Sequence, residues 1–181
     1  TRGIGRAIAK EFATHGQRVS VIGRREPEKP LDNVDYWVLD VLDIWQLTAV
    51  WPQIAGDRAP DNVIFAQRFR GQGDEWSGEI DTGLTATRNI IDLLAGNLHV
   101  DAETSIVVVS SVASQTIMSE QPAGYHVAKA GLDQLVRYYA VTLGAKSLRI
   151  NCISPGTVVK EESREFYREN KVIADLYGGI T

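Results

Sequence analysis

The stretch Thr1-Arg-Gly-Ile-Gly5 leads directly into a helical pattern over residues 6–14, and an apolar strand pattern follows over residues 18–22. Glycines at the start of a helix let the backbone approach a pyrophosphate, and the helix N-terminus offers free N–H groups and a positive dipole end. Gly16 stands where a helix C-cap is expected. A tight turn is the simpler interpretation of two glycines alone, but the helix and strand that follow favour a phosphate-binding turn.

Strand and helix patterns alternate along the rest of the chain. Uniformly apolar runs such as residues 106–109 are typical of strands that are covered on both faces. The alternation predicts βαβ units and a parallel sheet, in a single α/β domain over residues 1–181. The predicted strands are residues 18–22, 36–39, 63–66, 105–110 and 149–153, and the predicted helices are residues 6–14, 44–54, 85–98 and 123–143.

The composition is that of an ordinary globular protein, with 181 residues, 44% hydrophobic and 23% charged. A net charge of −4 without a basic run argues against a nucleic-acid partner. The single cysteine, Cys152, cannot form an internal disulfide, and no apolar run approaches the roughly 20 residues of a membrane span. We therefore expect a cytoplasmic protein without a membrane partner, and no cluster of ligand types suggests a metal.

A proton-transfer pair is predicted by Tyr125-His-Val-Ala-Lys129, which begins fourteen residues after Ser111. Residues four apart share one face of a helix, so the lysine ammonium can stabilise a tyrosine phenolate. A hydroxyl at the end of a neighbouring strand could hold a substrate oxygen against that phenol. Ser110 and Ser114 are alternatives to Ser111, and an ordinary surface pair is the simpler interpretation of the tyrosine and lysine.

With Asn151-Cys-Ile-Ser-Pro-Gly156 after the last strand, these motifs resemble the classical short-chain dehydrogenase/reductase family. That family carries T-G-x-x-x-G-x-G after its first strand, then a serine, Y-x-x-x-K and a P-G. Gly3 and Gly5 match its second and third glycines, and Thr1 falls where it has a small hydroxyl residue. The resemblance covers residues 1–158 and implies a doubly wound, Rossmann-type parallel sheet.

The resemblance also implies a central first strand before Thr1, and a helix and last strand after Thr181, which this sequence lacks. The charge-rich residues 160–171 resemble the family's mobile substrate lid, which we place at about residues 157–177.

A nicotinamide cofactor is implied by the same resemblance. Where an acidic residue would favour NAD, the chain has Arg24, and Arg2 precedes Gly3. Guanidinium groups suit a 2′-phosphate, so we expect NADP (NADPH), with NAD less favoured; solvated loop arginines are the alternative. The implied cofactor-binding residues are Thr1, Arg2, Gly3, Ile4, Gly5, Arg24, Asp40, Val41, Ala66, Gln67, Tyr125, Lys129, Pro155, Gly156 and Val158.

The implied activity is interconversion of a carbonyl and a secondary alcohol, of the 3-oxoacyl- or small-ketone-reductase type, with Ser111, Tyr125 and Lys129 as catalytic residues and a small molecule as substrate. Two parts of the chain depart from the family. Phe65-Ala-Gln-Arg68 replaces Asn-Asn-Ala-Gly, and Gly83 replaces an asparagine. The departures support a second hypothesis, a cofactor-binding but catalytically weak member with a regulatory or assembly role.

Several of these positions have a simpler structural interpretation. Asp40 could be a turn or cap aspartate, and Asp43 could cap the next helix equally well. Arg68 and Arg70 either reach an anionic group or pair with nearby acids, namely Asp74, Glu75 or Glu79.

Self-association is expected from the helices 85–98 and 123–143, which the family packs across a two-fold axis. The second helix carries more apolar positions than one stripe requires: Val127, Leu132, Leu135, Val136, Tyr139 and Leu143. A surplus apolar face usually marks an interface, so we predict a homodimer or a homotetramer.

Overall fold

The computed structural model describes residues 2–57, 59–97, 104–146 and 148–158, together with Glu165 and Glu169. The strands in these ranges are β1 (Val19–Gly23), β2 (Val34–Val38), β3 (Asn62–Phe65), β4 (Thr104–Val109) and β5 (Leu148–Ile153). The α-helices are α1 (Gly3–Thr14), α2 (Ile44–Ala55), α3 (Glu75–Glu79), α4 (Ala86–Asn97) and α5 (Ala123–Leu143). A π-helix (Ile80–Thr85) joins α3 to α4, and 3₁₀ turns span Val112–Ser114 and Gly144–Lys146.

All strand pairs in the described ranges are parallel, which confirms the predicted α/β architecture. β1 pairs with β2, and β4 lies between β3 and β5, with Ile106 opposite both Val63 and Ile150. No backbone ladder joins β1 to β3 in the part of the chain that the structure describes. The described strands therefore form two parallel sheets, one of two strands and one of three.

The predicted elements are found with their boundaries shifted by at most three residues. The sequence predicts no element directly before α4, where the structure has α3 and the π-helix. Asp74 starts α3, because its carboxylate accepts hydrogen bonds from the backbone N–H groups of Trp76 and Ser77. An aspartate directly before this short run is an N-cap signal that sequence inspection could have used.

The core lies between the sheet and the helices on it. β4 contributes Ile106 and Val108, α4 contributes Ile91 and Leu94, and α2 contributes Leu47, all of them buried. These side chains follow the helical and strand periods, because each element buries the face that meets its neighbour.

Most of the apolar side chains of α5 that were predicted to form an interface lie in or against the core of the protein itself. Leu132, Val136 and Tyr139 are buried in the core, and Leu135 and Leu143 pack against it in part. Of the predicted set, Val127 is exposed, and the other large exposed apolar side chains of α5 are Tyr138 and Val141, which were not in that set. No helix of the described residues is long and apolar enough to cross a bilayer.

A close backbone contact sets α3 against the start of α5. A Cβ added at Gly124 would lie 2.9 Å from the Cα atom of Trp76 and 3.3 Å from the carbonyl oxygen of Glu75. Only glycine permits this approach, so α3 is held beside the first turn of the helix that carries Tyr125 and Lys129.

Most of the expected substrate lid, residues 157–177, lies outside the described residues. Thr1 lies outside them as well, and so do Leu98 at the end of the predicted helix 85–98 and His99.

Candidate active site

Tyr125 and Lys129 lie on the first two turns of α5, against the carboxyl end of β4. The Nζ atom of Lys129 donates a hydrogen bond of 2.8 Å to the carbonyl oxygen of Val109, the last residue of β4. The hydroxyl of Ser110 donates in return to the carbonyl oxygen of Lys129, at 3.3 Å. The lysine Nζ lies 5.7 Å from the centroid of the tyrosine ring. The structure thus brings the predicted pair together at the end of the strand that precedes Ser111.

Burial determines the charge state of Lys129, which is only 6% exposed. Desolvation lowers the pKa of Lys129 to about 8, while the negative charges of Glu79 and Asp133 oppose this and the positive charge of Arg68 adds to it. Lys129 is therefore an ammonium near neutral pH, and it loses its proton at mildly alkaline pH.

The serines at the end of β4 have different surroundings. The Oγ atom of Ser111 accepts a hydrogen bond of 3.2 Å from the backbone N–H of Ala113, which leaves its O–H able to donate elsewhere. Ser110 already uses its O–H on α5. Ser114 has a buried hydroxyl with no hydrogen-bond partner among the described residues. This geometry favours Ser111 over Ser110 as the donor to a substrate.

Arg68 lies over the tyrosine ring, where the family pattern has a glycine. Its Cζ atom is 4.2 Å from the ring centroid of Tyr125, a cation–π distance. Its Nε atom is 3.4 Å from the Oε1 atom of Glu79, and its Nη2 atom donates to the Oε1 atom of Gln121 at 2.5 Å. Of the two interpretations of Arg68, pairing with a nearby acid is the one observed, and the acid is Glu79.

Gln67 and Gly83 are connected through Thr87. The side-chain amide of Gln67 donates to the Oγ1 atom of Thr87 at 2.8 Å, and the threonine hydroxyl donates to the carbonyl oxygen of Gly83 at 2.6 Å. A Cβ at Gly83 would lie 3.6 Å from the Cβ atom of Ala128, an ordinary contact. Packing therefore does not require glycine at position 83, and the Gln67 side chain fastens the loop after β3 to α4.

The first helix offers a fit for a dinucleotide pyrophosphate. Gly3 has a φ of 55°, in the left-handed region that favours glycine. Within the described chain, no side chain caps α1, so its first N–H groups are available to an anion. Gly5 faces the end of β3, since a Cβ there would lie 3.5 Å from the Cβ atom of Ala66. The glycine turn, which has Ile4 between Gly3 and Gly5, therefore lies beside the end of β3.

The arginines expected at the ribose are exposed. Arg24 and Arg25 follow β1, and Arg2 directly precedes α1. Arg6 was not singled out from the sequence, and its Nη1 atom donates to the carbonyl oxygen of Lys29 at 2.6 Å. That bond ties α1 to the loop between β1 and β2, which contains Pro27 and Pro30.

The loop after β2 supports the turn interpretation of Asp40. Its Oδ1 atom accepts a 3.0 Å hydrogen bond from the backbone N–H of Leu42, while Asp43 is the N-cap of α2 and accepts from the N–H of Gln46 at 2.9 Å. Val41 packs in part against the core. Cofactor contacts at Asp40 and Val41 remain predictions.

The Pro-Gly loop lies beside the turn that follows Ser111. The carbonyl oxygen of Pro155 accepts a 3.2 Å hydrogen bond from the N–H of Val112, and Gly156 and Val158 come just beyond. A surface cleft of about 720 Å³ is lined by residues 71–76 and by residues 122–124, directly before Tyr125.

His126 has a local structural role. Its Nε2 atom accepts a 2.9 Å hydrogen bond from the N–H of Met118, and its Nδ1 atom lies 3.0 Å from the carbonyl oxygen of Pro122. The ring thus fastens the loop before α5. Among the described residues, no group of three or more histidine, cysteine or acidic side chains is placed to hold a metal.

Comparison with known proteins identifies the family of the chain. Residues 59–180 match the family model described as enoyl-(acyl carrier protein) reductase. The chain belongs to the short-chain dehydrogenase/reductase family. It is 27% identical over 176 residues to the 3-oxoacyl-[acyl-carrier-protein] reductase FabG of Chlamydia muridarum, covering 87% of this chain and 71% of the relative.

Other relatives and solved structures of short-chain dehydrogenases/reductases agree. Dehydrogenase/reductase SDR family member 4 of Rattus norvegicus is 26% identical over 192 residues, covering 93% of this chain and 67% of the relative. The structure of 4-hydroxyisoleucine dehydrogenase complexed with NADH matches with a TM-score of 0.78 at 23% identity, covering 93% of this chain and 77% of that one. A variant of ElxO with NADPH bound matches with a TM-score of 0.75 at 19% identity, covering 94% of this chain and 75% of that one. The last two likenesses show the fold alone.

As a short-chain dehydrogenase/reductase, the chain is an oxidoreductase, and its site contains residues that lie outside the sequence motifs. Glu79 was considered only as a partner for an arginine, and the structure shows it buried close enough for its charge to act on Lys129. Asp133 is buried one turn after Lys129, and its Oδ1 atom has no hydrogen-bond partner among the described residues. A carboxylate four residues after the lysine was the available signal for Asp133.

Proposed function

We propose that this protein interconverts a small-molecule carbonyl and a secondary alcohol with NADP(H), as a 3-oxoacyl- or small-ketone-reductase-like enzyme. The observation that carries the proposal is the ammonium of Lys129, held on the end of β4 on the same helix face as Tyr125. A buried cation beside a phenol favours transfer of the phenolic proton. The similarity to a relative named 3-oxoacyl-[acyl-carrier-protein] reductase supports the substrate class.

The role of each residue follows from the proton or hydrogen bond that it can donate. A nicotinamide supplies or accepts the hydride when bound. In the reductive direction, Ser111 donates a hydrogen bond to the substrate oxygen, and Tyr125 gives its proton to that oxygen as negative charge develops there. Lys129 stabilises the phenolate that remains. Donors fixed at the oxygen stabilise the transition state more than the ground state, which is what raises kcat.

The preference for NADP rests on Arg2 and Arg24, which are exposed, one directly before α1 and the other directly after β1. A 2′-phosphate would gain charge-assisted hydrogen bonds from them that a 2′-hydroxyl cannot make.

The test is turnover. Oxidation of NADPH should be followed at neutral pH with small ketones and a 3-oxoacyl thioester, for the wild-type protein and for Tyr125→Phe. The substitution keeps the ring and removes the transferable proton, so kcat should fall by about 10²-fold or more while cofactor affinity stays the same. Near-normal turnover by the variant would remove Tyr125 from the mechanism.

A second candidate is a cofactor-binding, catalytically weak member with a regulatory or assembly role. The observation that favours it is the loop after β3, where Gln67 is fastened to Thr87 and Gly83 has no side chain to serve the site. Tight NADPH binding without turnover of any ketone in the panel would support this function over the first.

We also propose a homodimer or a homotetramer, with contacts through the exposed apolar side chains of α5, and a cytoplasmic location without nucleic-acid or membrane partners. The basis for assembly is the set Val127, Tyr138 and Val141, which lies outside the core of the described residues.

A further inference from the structure

We propose that Arg68 and Glu79 are positioning residues of the proton-transfer site, an ion pair that holds the ring of Tyr125 and sets the charge around Lys129. The inference rests on the proposed function, because it takes Tyr125 and Lys129 as the proton-transfer groups. It concerns two residues to which the resemblance to the family assigns no role.

Arg68 is held from three directions. Its Nε atom forms an ion pair with Glu79 on α3, and its Nη2 atom donates a hydrogen bond to Gln121 in the loop before α5. Its Cζ atom lies over the ring of Tyr125. A guanidinium is planar, so it can keep its hydrogen bonds at the edge while its face covers an aromatic ring. An ammonium at this position could not do both. The three contacts fix the side chain of Arg68 and, through it, the tilt of the Tyr125 ring.

Glu79 is a buried carboxylate, with its side chain 5% exposed against 29% for that of Arg68. A carboxylate removed from water is strongly destabilising unless it is paired, and Arg68 is the ion-pair partner of Glu79. The charge of Glu79 also acts on Lys129, where it opposes the effect of burial. The same carboxylate therefore serves both the arginine and the lysine.

The charges that act on Lys129 come from several elements. Glu79 belongs to α3, Arg68 to the loop after β3 and Asp133 to α5, and the phenol of Tyr125 shares its helix face. From β4 the lysine meets the carbonyl oxygen of Val109. Two acids and one further cation surround the ammonium, so removal of either member of the ion pair changes the balance in a predictable direction.

Glu79 and Gly83 lie on the same continuous helical segment, one turn apart. Gly83 has no side chain to offer, and the charge that reaches Lys129 from this segment comes from Glu79.

The experiment compares Glu79→Gln with its control Glu75→Gln, an exposed acid on the same short helix. Protein labelled with [ε-¹³C]lysine reports the titration of Lys129 by NMR, with the signal assigned by Lys129→Met. Glu79→Gln should move the Lys129 midpoint to lower pH by on the order of one unit, because an opposing negative charge has been removed. Glu75→Gln should leave it in place. Equal midpoints in the two variants would overturn the proposal.

Arg68 is tested in the same way against Arg70→Gln, an exposed arginine two residues away. Arg68→Gln should move the Lys129 midpoint to higher pH, opposite to the effect of Glu79→Gln. The double variant, Arg68→Gln with Glu79→Gln, removes both charges and should return the midpoint close to that of the wild type. The double variant leaves no unpaired buried carboxylate at position 79, so it guards against loss of the fold in the single variants.

Turnover separates positioning from a purely structural role. In Glu79→Gln the alkaline limb of the kcat/KM profile, which reports groups of the free enzyme, should move to lower pH together with the NMR midpoint, while KM at neutral pH changes less than about twofold. Arg68→Lys keeps the charge but cannot cover the ring, so its Lys129 midpoint should stay near the wild type while kcat falls about tenfold. A change confined to KM, or a kcat/KM profile that does not follow the midpoint, would refute the inference. NMR needs no substrate, so an inactive wild-type protein would refute the proposed function without deciding this pair.

Discussion

The buried ammonium of Lys129 gives the protein a stability that should depend on alkaline pH. Burial lowers the pKa of Lys129 from an ordinary 10.5 to about 8. Below pH 8 the lysine is protonated in both the folded and unfolded states, and the folded state bears the full penalty of burying the charge. Between pH 8 and pH 10.5 the folded protein has lost this proton while the unfolded chain keeps it, so the unfolding free energy rises with pH.

The size of the effect follows from the same two values. Each pH unit between them corresponds to about 1.4 kcal/mol, so the penalty is roughly 3 kcal/mol at pH 7. It should fall to roughly 2 kcal/mol at pH 9 and below about 1 kcal/mol at pH 10. Lys129 is almost fully buried, so solvent screening reduces these figures little.

The assay is urea denaturation of the wild-type protein and of Lys129→Met at pH 7, 8, 9 and 10 at constant ionic strength. Subtraction of the two unfolding free energies removes the contribution of all other titrating groups. The difference, wild type minus variant, should increase by about 2.5 kcal/mol from pH 7 to pH 10. Lys146→Met, at an exposed lysine, is the matched control and should show no such trend. A difference that stays constant with pH would show that the folded state does not penalise the charge of Lys129.

Three further predictions concern the cofactor, the packing and the assembly. Arg24→Ala should weaken NADPH binding about tenfold relative to NADH binding in fluorescence titrations, because one charge-assisted hydrogen bond is worth about that much. Tighter binding of NADH than of NADPH by the wild-type protein would contradict the cofactor proposal. Gly124→Ala should lower the unfolding free energy, measured with urea, by about 1–3 kcal/mol, because the added Cβ would meet backbone atoms of α3. Gly96→Ala has no atom near its added Cβ and should raise the unfolding free energy by up to about 1 kcal/mol. Equal effects of the two substitutions would exclude the close contact. Sedimentation at micromolar concentration should show a dimer or tetramer that Val141→Lys dissociates, and a wild-type monomer would exclude the α5 interface.

The alternation of strands and helices could be predicted because it is a local property. Side chains repeat every two residues along a strand and about every 3.6 residues along a helix. The apolar run at residues 106–109 and the long pattern from Ala123 to Leu143 could therefore be recognised without knowing which elements they pack against. The spacing of Tyr125 and Lys129 belongs to the same class, since four residues along a helix return a side chain to one face.

The short helix α3 and the π-helix behind it were not predicted. They have too few residues for a periodic signal, and their position depends on Gly124, which admits the backbone of Trp76. The structure was also needed to tell which apolar side chains of α5 are buried and which are exposed. Leu132 and Val136 are buried in the core while Tyr138 and Val141 are exposed, and an apolar residue looks the same in sequence on either face.

The sequence by itself determined the parallel α/β architecture, the glycine turn, and the order of serine, tyrosine and lysine, because each is encoded by neighbours along the chain. Only the tertiary structure decided that Arg68 covers Tyr125, that Glu79 is its partner, and that Lys129 is buried on the carbonyl of Val109. Those contacts join residues from a loop, a short helix and a strand end. Their existence depends on how the helices pack on the sheet, which no local pattern records.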